Sequence, residues 1–244
     1  MAKPKKKPTE TSTDEASAGK NKTGLYIGGA VAAVVAIAGF IYFGSDSATR
    51  SRAADGNPGT AALMEPGPLK DIMIGDGDAP ITIVEYASMT CGHCARFHND
   101  VFPELKEKYI DTGKVQYVLR EFPLDGLAVA AFMLARCAGD DRYYPMVGGM
   151  FETQKTWAVP GEDGKQKLSR IAKQAGFSQE SFDKCLADQE LFDKIVEVRK
   201  RGNEEYGVDS TPSFFVNGKR MKGIEMKDFD AAIEGSGGEK SPND

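Results

Sequence analysis

The sequence predicts an exported α/β domain with an inserted block of helices, set behind one N-terminal membrane-spanning helix. Three observations carry this expectation. Residues 81–120 run strand, helix, strand, and residues 213–233 return to two short strands and a helix. Between them, residues 125–206 show only helical patterns. Ahead of all three lies an uncharged stretch of 21 residues, Gly24 to Gly44.

Composition narrows the classes first. Apolar residues make up 41% of the 244-residue chain and charged residues 27%, ordinary values for a globular protein. They exclude a wholly disordered chain and a polytopic membrane protein. Four cysteines are too few for a disulfide-scaffold miniprotein. The net charge of −5 is uneven: residues 1–23 carry six lysines against three acidic residues, and the remainder stands at −8. An acidic body lacks the clustered Lys and Arg that phosphate neutralisation requires, so no nucleic-acid partner is expected.

The uncharged stretch is long enough, as a helix, to cross the roughly 30 Å hydrocarbon core. Tyr26 and Tyr42 stand near its ends, where amphipathic rings favour the interface. The lysines precede it, so the positive-inside rule keeps residues 1–23 cytoplasmic as a disordered basic tail and carries the rest across. Its length favours an uncleaved signal anchor, although small residues from Ser45 to Ala48 would permit cleavage. Residues 45–68, rich in Ala, Gly, Ser and Pro, read as a flexible linker. Residues 69–235 form the domain, and residues 236–244 a disordered tail.

Within the domain, Ile81 to Tyr86 is β-branched and aromatic, a buried strand. After it, Phe97, Val101 and Leu105 recur every four residues on a helix that Pro103 should bend or interrupt. Val115 to Arg120 alternates like a second strand, completing a βαβ unit. Helices follow over Leu127–Ala138, Tyr143–Gln154 and Lys165–Ala175, then a short one capped at Ser178, then Leu191–Tyr206. Asn217-Gly218 between Ser213–Val216 and Lys219–Met221 is a hairpin signal. Met226, Phe229 and Ile233 mark a last amphipathic helix. This order is a thioredoxin-like layout with a helical insertion at about 125–206.

The chemistry is carried by Cys91-Gly92-His93-Cys94, which follows the first strand and opens a helix. A helix N-terminus presents unpaired N–H groups and a positive dipole end, which stabilise a thiolate. Cys91 is then the exposed nucleophile and Cys94, one turn in, the shielded resolving thiol. A protonated His93 adds positive charge beside Cys91, and Gly92 leaves room for a partner's backbone. Stabilising the thiolate favours the dithiol and makes the disulfide a stronger oxidant. Two alternatives stand beside this reading: an inert structural disulfide, and a metal site of Cys91, His93, Cys94 and His98, which lacks the second ligand pair of structural zinc sites. His98 itself is expected as a helix-surface or packing residue.

Residues Ile83 to His98, IVEYASMTCGHCARFH, and Val208 to Lys219, VDSTPSFFVNGK, together resemble the two signatures of DsbA-type thiol:disulfide oxidoreductases. The resemblance covers about residues 69–235. It implies a cis Pro212 packed beside Cys91, a Thr211 backbone that pairs with a bound client peptide, and Glu85 as a buried carboxylate relaying the proton of Cys94. It also implies a second disulfide between Cys137 and Cys185; two separate buried cysteines are the alternative. Gly92-His93, in place of the Pro-His common in strongly oxidising members, resembles the isomerase type, and Thr211 is found both in isomerases and in several oxidase subgroups.

The expected function is therefore a dithiol oxidase of the bacterial envelope, a monomer anchored in the inner membrane through residues 24–44 with its domain in the periplasm, or soluble there if cleaved. It exchanges the Cys91–Cys94 disulfide with cysteine pairs of exported proteins and is recharged by a membrane or periplasmic redox partner. No cofactor and no metal are called for. The alternatives are a reductase or isomerase using the same site, and a metal-binding or chaperone module.

Overall fold

The computed structural model describes residues 59–159 and 163–236. The stretch 24–44 expected to span a membrane, the basic tail, most of the linker and all but Ser236 of the tail 236–244 lie outside these residues. Among the described residues no helix is long and apolar enough to cross a membrane.

Five strands form one mixed sheet in the order β1-β3-β2-β4-β5. The strands are β1 Met73–Ile74, β2 Ile81–Ala87, β3 Val115–Glu121, β4 Ser213–Val216 and β5 Lys219–Arg220. β2 and β3 are parallel, with Ile81 opposite Val115 and Ala87 opposite Glu121. The β1–β3, β2–β4 and β4–β5 pairs are antiparallel. A parallel pair needs a crossover, and helix α2, over residues 92–110, supplies it.

That helix does not stop at Pro103. It passes from an α turn at Gly92–Arg96 into a π turn at Phe97–Val101, resumes as α at Phe102–Leu105, and ends in a second π turn, Lys106–Ile110. A proline has no N–H for the preceding turn, and widening that turn accommodates the loss without breaking the helix. The face read from the sequence is the buried one: Phe97 and Leu105 are fully enclosed and Val101 nearly so.

The helical block follows as α3 Gly126–Cys137, α4 Asp140–Glu152, α5 Gln154–Trp157, α6 Gly164–Gln174, α7 Gln179–Leu186 and α8 Gln189–Tyr206. Side chains cap four of these six starts. Asp125 accepts the Ala128 N–H, Asp163 that of Gln166, Ser178 that of Ser181, and Asp188 that of Leu191. α8 ends on Gly207 in the left-handed region, at φ 64°. The chain closes with the hairpin at Asn217 and Gly218, both at positive φ, and helix α9, Met226–Ser236.

Two differences from the sequence reading have physical causes. First, β3 is buried along its whole length instead of having a wet face. Tyr117 and Leu119 enter the main core with Ile83 and Phe214. Val118 enters a second cluster with Val84, Tyr86, Tyr206 and Phe215, and Arg120 is paired with Asp71 at 2.7 Å. A strand covered on both faces can keep polar residues only where each has a partner.

Second, the linker expected to run to residue 68 is docked from Gly59 on. Thr60–Leu63 is a helical turn, α1, and Leu63 is enclosed in the second cluster. Tyr206 donates to the Ala62 carbonyl and Arg201 to those of Glu65 and Pro66. Its Ala- and Pro-rich composition hides this, because one buried leucine and three backbone acceptors carry the attachment. Strand β1 was also missed. It is two residues long, and Tyr144 of α4 ties its end to β3 by accepting the Leu119 N–H and donating to the Ile72 carbonyl.

A disulfide joins Cys137 at the end of α3 to Cys185 in α7, with Cα atoms 6.2 Å apart and a sequence separation of 48. It closes the helical block on itself. Replacing both cysteines by Ala is expected to lower the unfolding free energy by about 4 kcal/mol on chain-entropy grounds. A urea titration that found a loss below about 1 kcal/mol would contradict that account.

Candidate active site

The site stands where three segments meet. β2 ends at Ala87, and the turn Ser88 to Thr90 brings Cys91 to the N-cap of α2 in an extended conformation (φ −81°, ψ 119°). This leaves the first N–H groups of the helix directed at its sulfur. Ser88 anchors the turn: its carbonyl accepts the Cys91 N–H, and its hydroxyl accepts the Leu124 N–H. Thr90 donates to Asp125, the cap of α3, at 2.7 Å. From the helical block, Gln154 donates to the carbonyls of both Met89 and Cys91, each at 2.9 Å. The inserted helices thus hold the active-site turn as well as covering the core. Gln154 was read only as the end of a helix; a glutamine after an apolar helix carries no sequence signal of this clamp.

The third segment is the Thr211–Pro212 loop, whose peptide bond is cis. It lies against Cys91, whose thiol donates to the Thr211 carbonyl at 3.3 Å. The Thr211 hydroxyl is buried without a partner among the described residues. In front of Gly92 the space is open, with no atom within 4 Å of where a Cβ would stand.

Cys91 and Cys94 are free thiols and both are buried: Cys91, expected to be exposed, is 8% exposed because the Thr211–Pro212 loop lies against it, and Cys94 is 0% exposed. Cys91 is lowered from 9.0 to about 5, first by the hydrogen bond from the Cys94 thiol, then by Thr211 and the backbone N–H groups of Cys94 and His93, against an opposing effect of burial. Cys94 is fully enclosed and pushed well above its ordinary value by burial, by its partner sulfur and by the charge of Glu85. The first sulfur is thus biased toward the thiolate and the second toward the protonated thiol. The His93 imidazole is exposed, with Nδ1 3.3 Å from Arg96. Its residue reaches the Cys91 sulfur through the backbone N–H.

Glu85, on β2, is fully buried. Its Oε2 accepts from Tyr117 of β3 and lies 2.8 Å from His98 Nε2. Of the two expected places, helix surface or packing, His98 takes the second: it faces inward, onto the carboxylate, and stacks on Phe151. Among the described residues no group of three His, Cys, Asp or Glu is arranged to hold a metal ion. The quartet of Cys91, His93, Cys94 and His98 is split, with His93 outside and His98 on Glu85. Chemically, the arrangement offers a buried thiolate next to the open space at Gly92, a fully enclosed thiol one turn deeper, a buried carboxylate acting on the second sulfur, and a backbone edge beside the first.

Comparison with known proteins agrees with this geometry. Residues 69–235 match the family model described as Thioredoxin. A Rickettsia bellii protein named as a protein-disulfide oxidoreductase is 36% identical over 165 residues, covering 67% of this chain and 63% of its own length. Disulfide bond formation protein D of Bacillus subtilis is 28% identical over 170 residues, covering 66% and 73%. Among solved structures, Wolbachia pipientis α-DsbA1 superposes with a TM-score of 0.67 at 35% identity, over 73% of this chain and 96% of that one. BdbD of Bacillus subtilis shares the fold at a TM-score of 0.59 and 24% identity. On these matches, and on its own cysteine turn and cis-proline loop, the chain belongs to the DsbA-type family of the thioredoxin superfamily.

Proposed function

We propose that the protein is a thiol:disulfide oxidoreductase of the bacterial envelope, working as a dithiol oxidase on cysteine pairs of exported proteins. The observation that carries this is the split between the two sulfurs. A disulfide whose reduction yields a stabilised Cys91 thiolate is readily reduced and so passes its oxidation on to a client. A client thiolate attacks the Cys91 sulfur; the Cys91–Cys94 bond breaks, and Cys94 leaves with the electron pair and takes a proton from Glu85. The client's second thiolate then attacks its own sulfur in the mixed disulfide, the client disulfide forms, and Cys91 departs as a thiolate. Thr211 and Pro212 offer the backbone edge on which the client's segment lies, and open space before Gly92 admits it. A separate redox partner of the envelope reoxidises the pair. Residues 24–44 supply the membrane anchor in this reading, and the 59–236 domain acts as a monomer on the exported side.

The test is the equilibrium reduction potential of the Cys91–Cys94 pair against glutathione buffers. A value near −180 mV or higher is expected for an oxidase, whereas one near −270 mV, the range of thioredoxin, would turn the reading into that of an envelope reductase.

A further inference from the structure

His98 is a buried titratable residue that the exchange steps above leave unused. It sits in the π turn Phe97–Val101 of α2, its side chain 3% exposed. Its ring is stacked on Phe151 of α4, with centroids 4.3 Å apart and planes 19° apart, while Phe97 meets it edge-on at 5.2 Å. So fixed, it places Nε2 2.8 Å from Glu85 Oε2. The Tyr117 hydroxyl donates to that same oxygen. The other oxygen, Oε1, is buried and has no hydrogen-bond partner among the described residues. The titratable groups that act on this carboxylate's surroundings are Cys94 and His98 from α2, Tyr117 from β3 and, at longer range, Tyr144 from α4.

Two rigid rings on one oxygen determine which way the carboxylate faces. A buried acceptor without a donor is unfavourable, and gaining a proton relieves it. We propose that His98 is a positioning residue of disulfide exchange: with Tyr117 it occupies Glu85 Oε2 and so leaves Oε1 as the oxygen that takes the Cys94 proton. The inference rests on the reading of Glu85 as the proton relay and deepens it. When Cys94 resolves a mixed disulfide, its sulfur attacks the Cys91 sulfur and the Cys91–Cys94 bond forms. The client sulfur leaves with the electron pair of the broken bond, and the Cys94 proton passes to Oε1. In the opposite direction Oε1 returns that proton to Cys94 as it leaves.

The test uses the reduced full-length protein mixed with oxidised glutathione. Cys91 first forms a glutathione adduct, which Cys94 then resolves; acid quenching and mass measurement follow both steps across pH. His98→Phe retains a ring to stack on Phe151 and loses the donor. It is expected to slow adduct decay about tenfold or more at pH 7, the deficit shrinking as pH rises and hydroxide removes the proton instead. Adduct formation and the thiolate titration of Cys91 stay unchanged. His98→Gln, with an amide N–H close to the Nε2 position, restores decay to within about threefold. Should His98→Phe fail to fold, Tyr117→Phe removes the other donor to Oε2 and is expected to slow the same step.

Unchanged decay in His98→Phe, equal slowing of formation and decay, or a His98→Gln protein as slow as His98→Phe would each overturn the inference. Glu85→Gln separates it from the reading beneath. Undiminished decay in Glu85→Gln removes the relay itself. Slow decay there, beside normal decay in His98→Phe, removes only the role of His98.

Discussion

A Cys91→Ser protein is expected to lose disulfide exchange by more than about a thousandfold, since a hydroxyl neither forms the disulfide nor reaches the thiolate's nucleophilicity. A Cys94→Ala protein has no disulfide to pass to a client, but its Cys91 thiolate still attacks oxidised glutathione and keeps the glutathione as a mixed disulfide that no internal thiol resolves. The two sulfurs occupy different positions on one helix turn. Cys91, at the cap, faces the Thr211–Pro212 loop and the open space before Gly92. Cys94 is fully enclosed, so a client sulfur meets Cys91 first. Reaction of each reduced variant with oxidised glutathione, followed by acid quenching and mass measurement, distinguishes them. Cys91→Ser should yield no adduct, and Cys94→Ala a glutathione adduct that persists until further thiol is added. Adducts on Cys94 in the Cys91→Ser protein would reverse the assignment of the two roles.

The reduction potential is expected to fall by about 60 mV per pH unit below pH 5 and by about 30 mV per pH unit above it. Each proton taken up in a two-electron couple contributes about 30 mV per pH unit. Cys91 is lowered to about 5 and Cys94 raised well above 9.0. Below pH 5, reduction therefore takes up two protons. Between there and the ordinary thiol range it takes up one. The same shift carries a sign for stability. A group whose folded value is depressed stabilises the folded reduced form above its unfolded value, and that contribution is lost as pH falls through about 5. The disulfide form does not titrate there, so the stability of the reduced form relative to the oxidised one should grow from pH 5 upward. Glutathione equilibria and thiolate absorbance at several pH values read the break. A single slope of about 60 mV from pH 4 to 8 would contradict the thiolate. Cys94→Ala should move the Cys91 midpoint upward, because the Cys94 hydrogen bond is the largest cause of its lowering.

Much of this was legible in the sequence, for reasons that can be named. β2, α2 and the hairpin are local events: a β-branched run, apolar residues every four positions, and Asn-Gly in a two-residue turn set each from its own neighbours. The cysteine turn is equally local, because Cys91 is the cap of the helix that contains Cys94 and sequence spacing alone places both. Five of the six helices between residues 126 and 206 followed from apolar periodicity, one of them with its Ser178 cap, while the single turn Gln154–Trp157 was not read.

What the sequence determined by itself was thus the order of the main elements, the thioredoxin-like layout and the place of the two sulfurs on one helix turn. Tertiary structure alone decided what stands around them. Gln154 reaches the active-site turn across more than sixty residues of chain. Leu63 docks a segment whose composition reads as linker. His98 turns inward because β2 brings Glu85 against the same face of α2 and Phe151 closes over the ring. These are contacts between residues distant in sequence. Periodicity records which face of an element is buried, but not which polar group on another element will meet it there. A buried histidine and a surface histidine occupy the same kind of helical position, and only the partner across the core tells them apart.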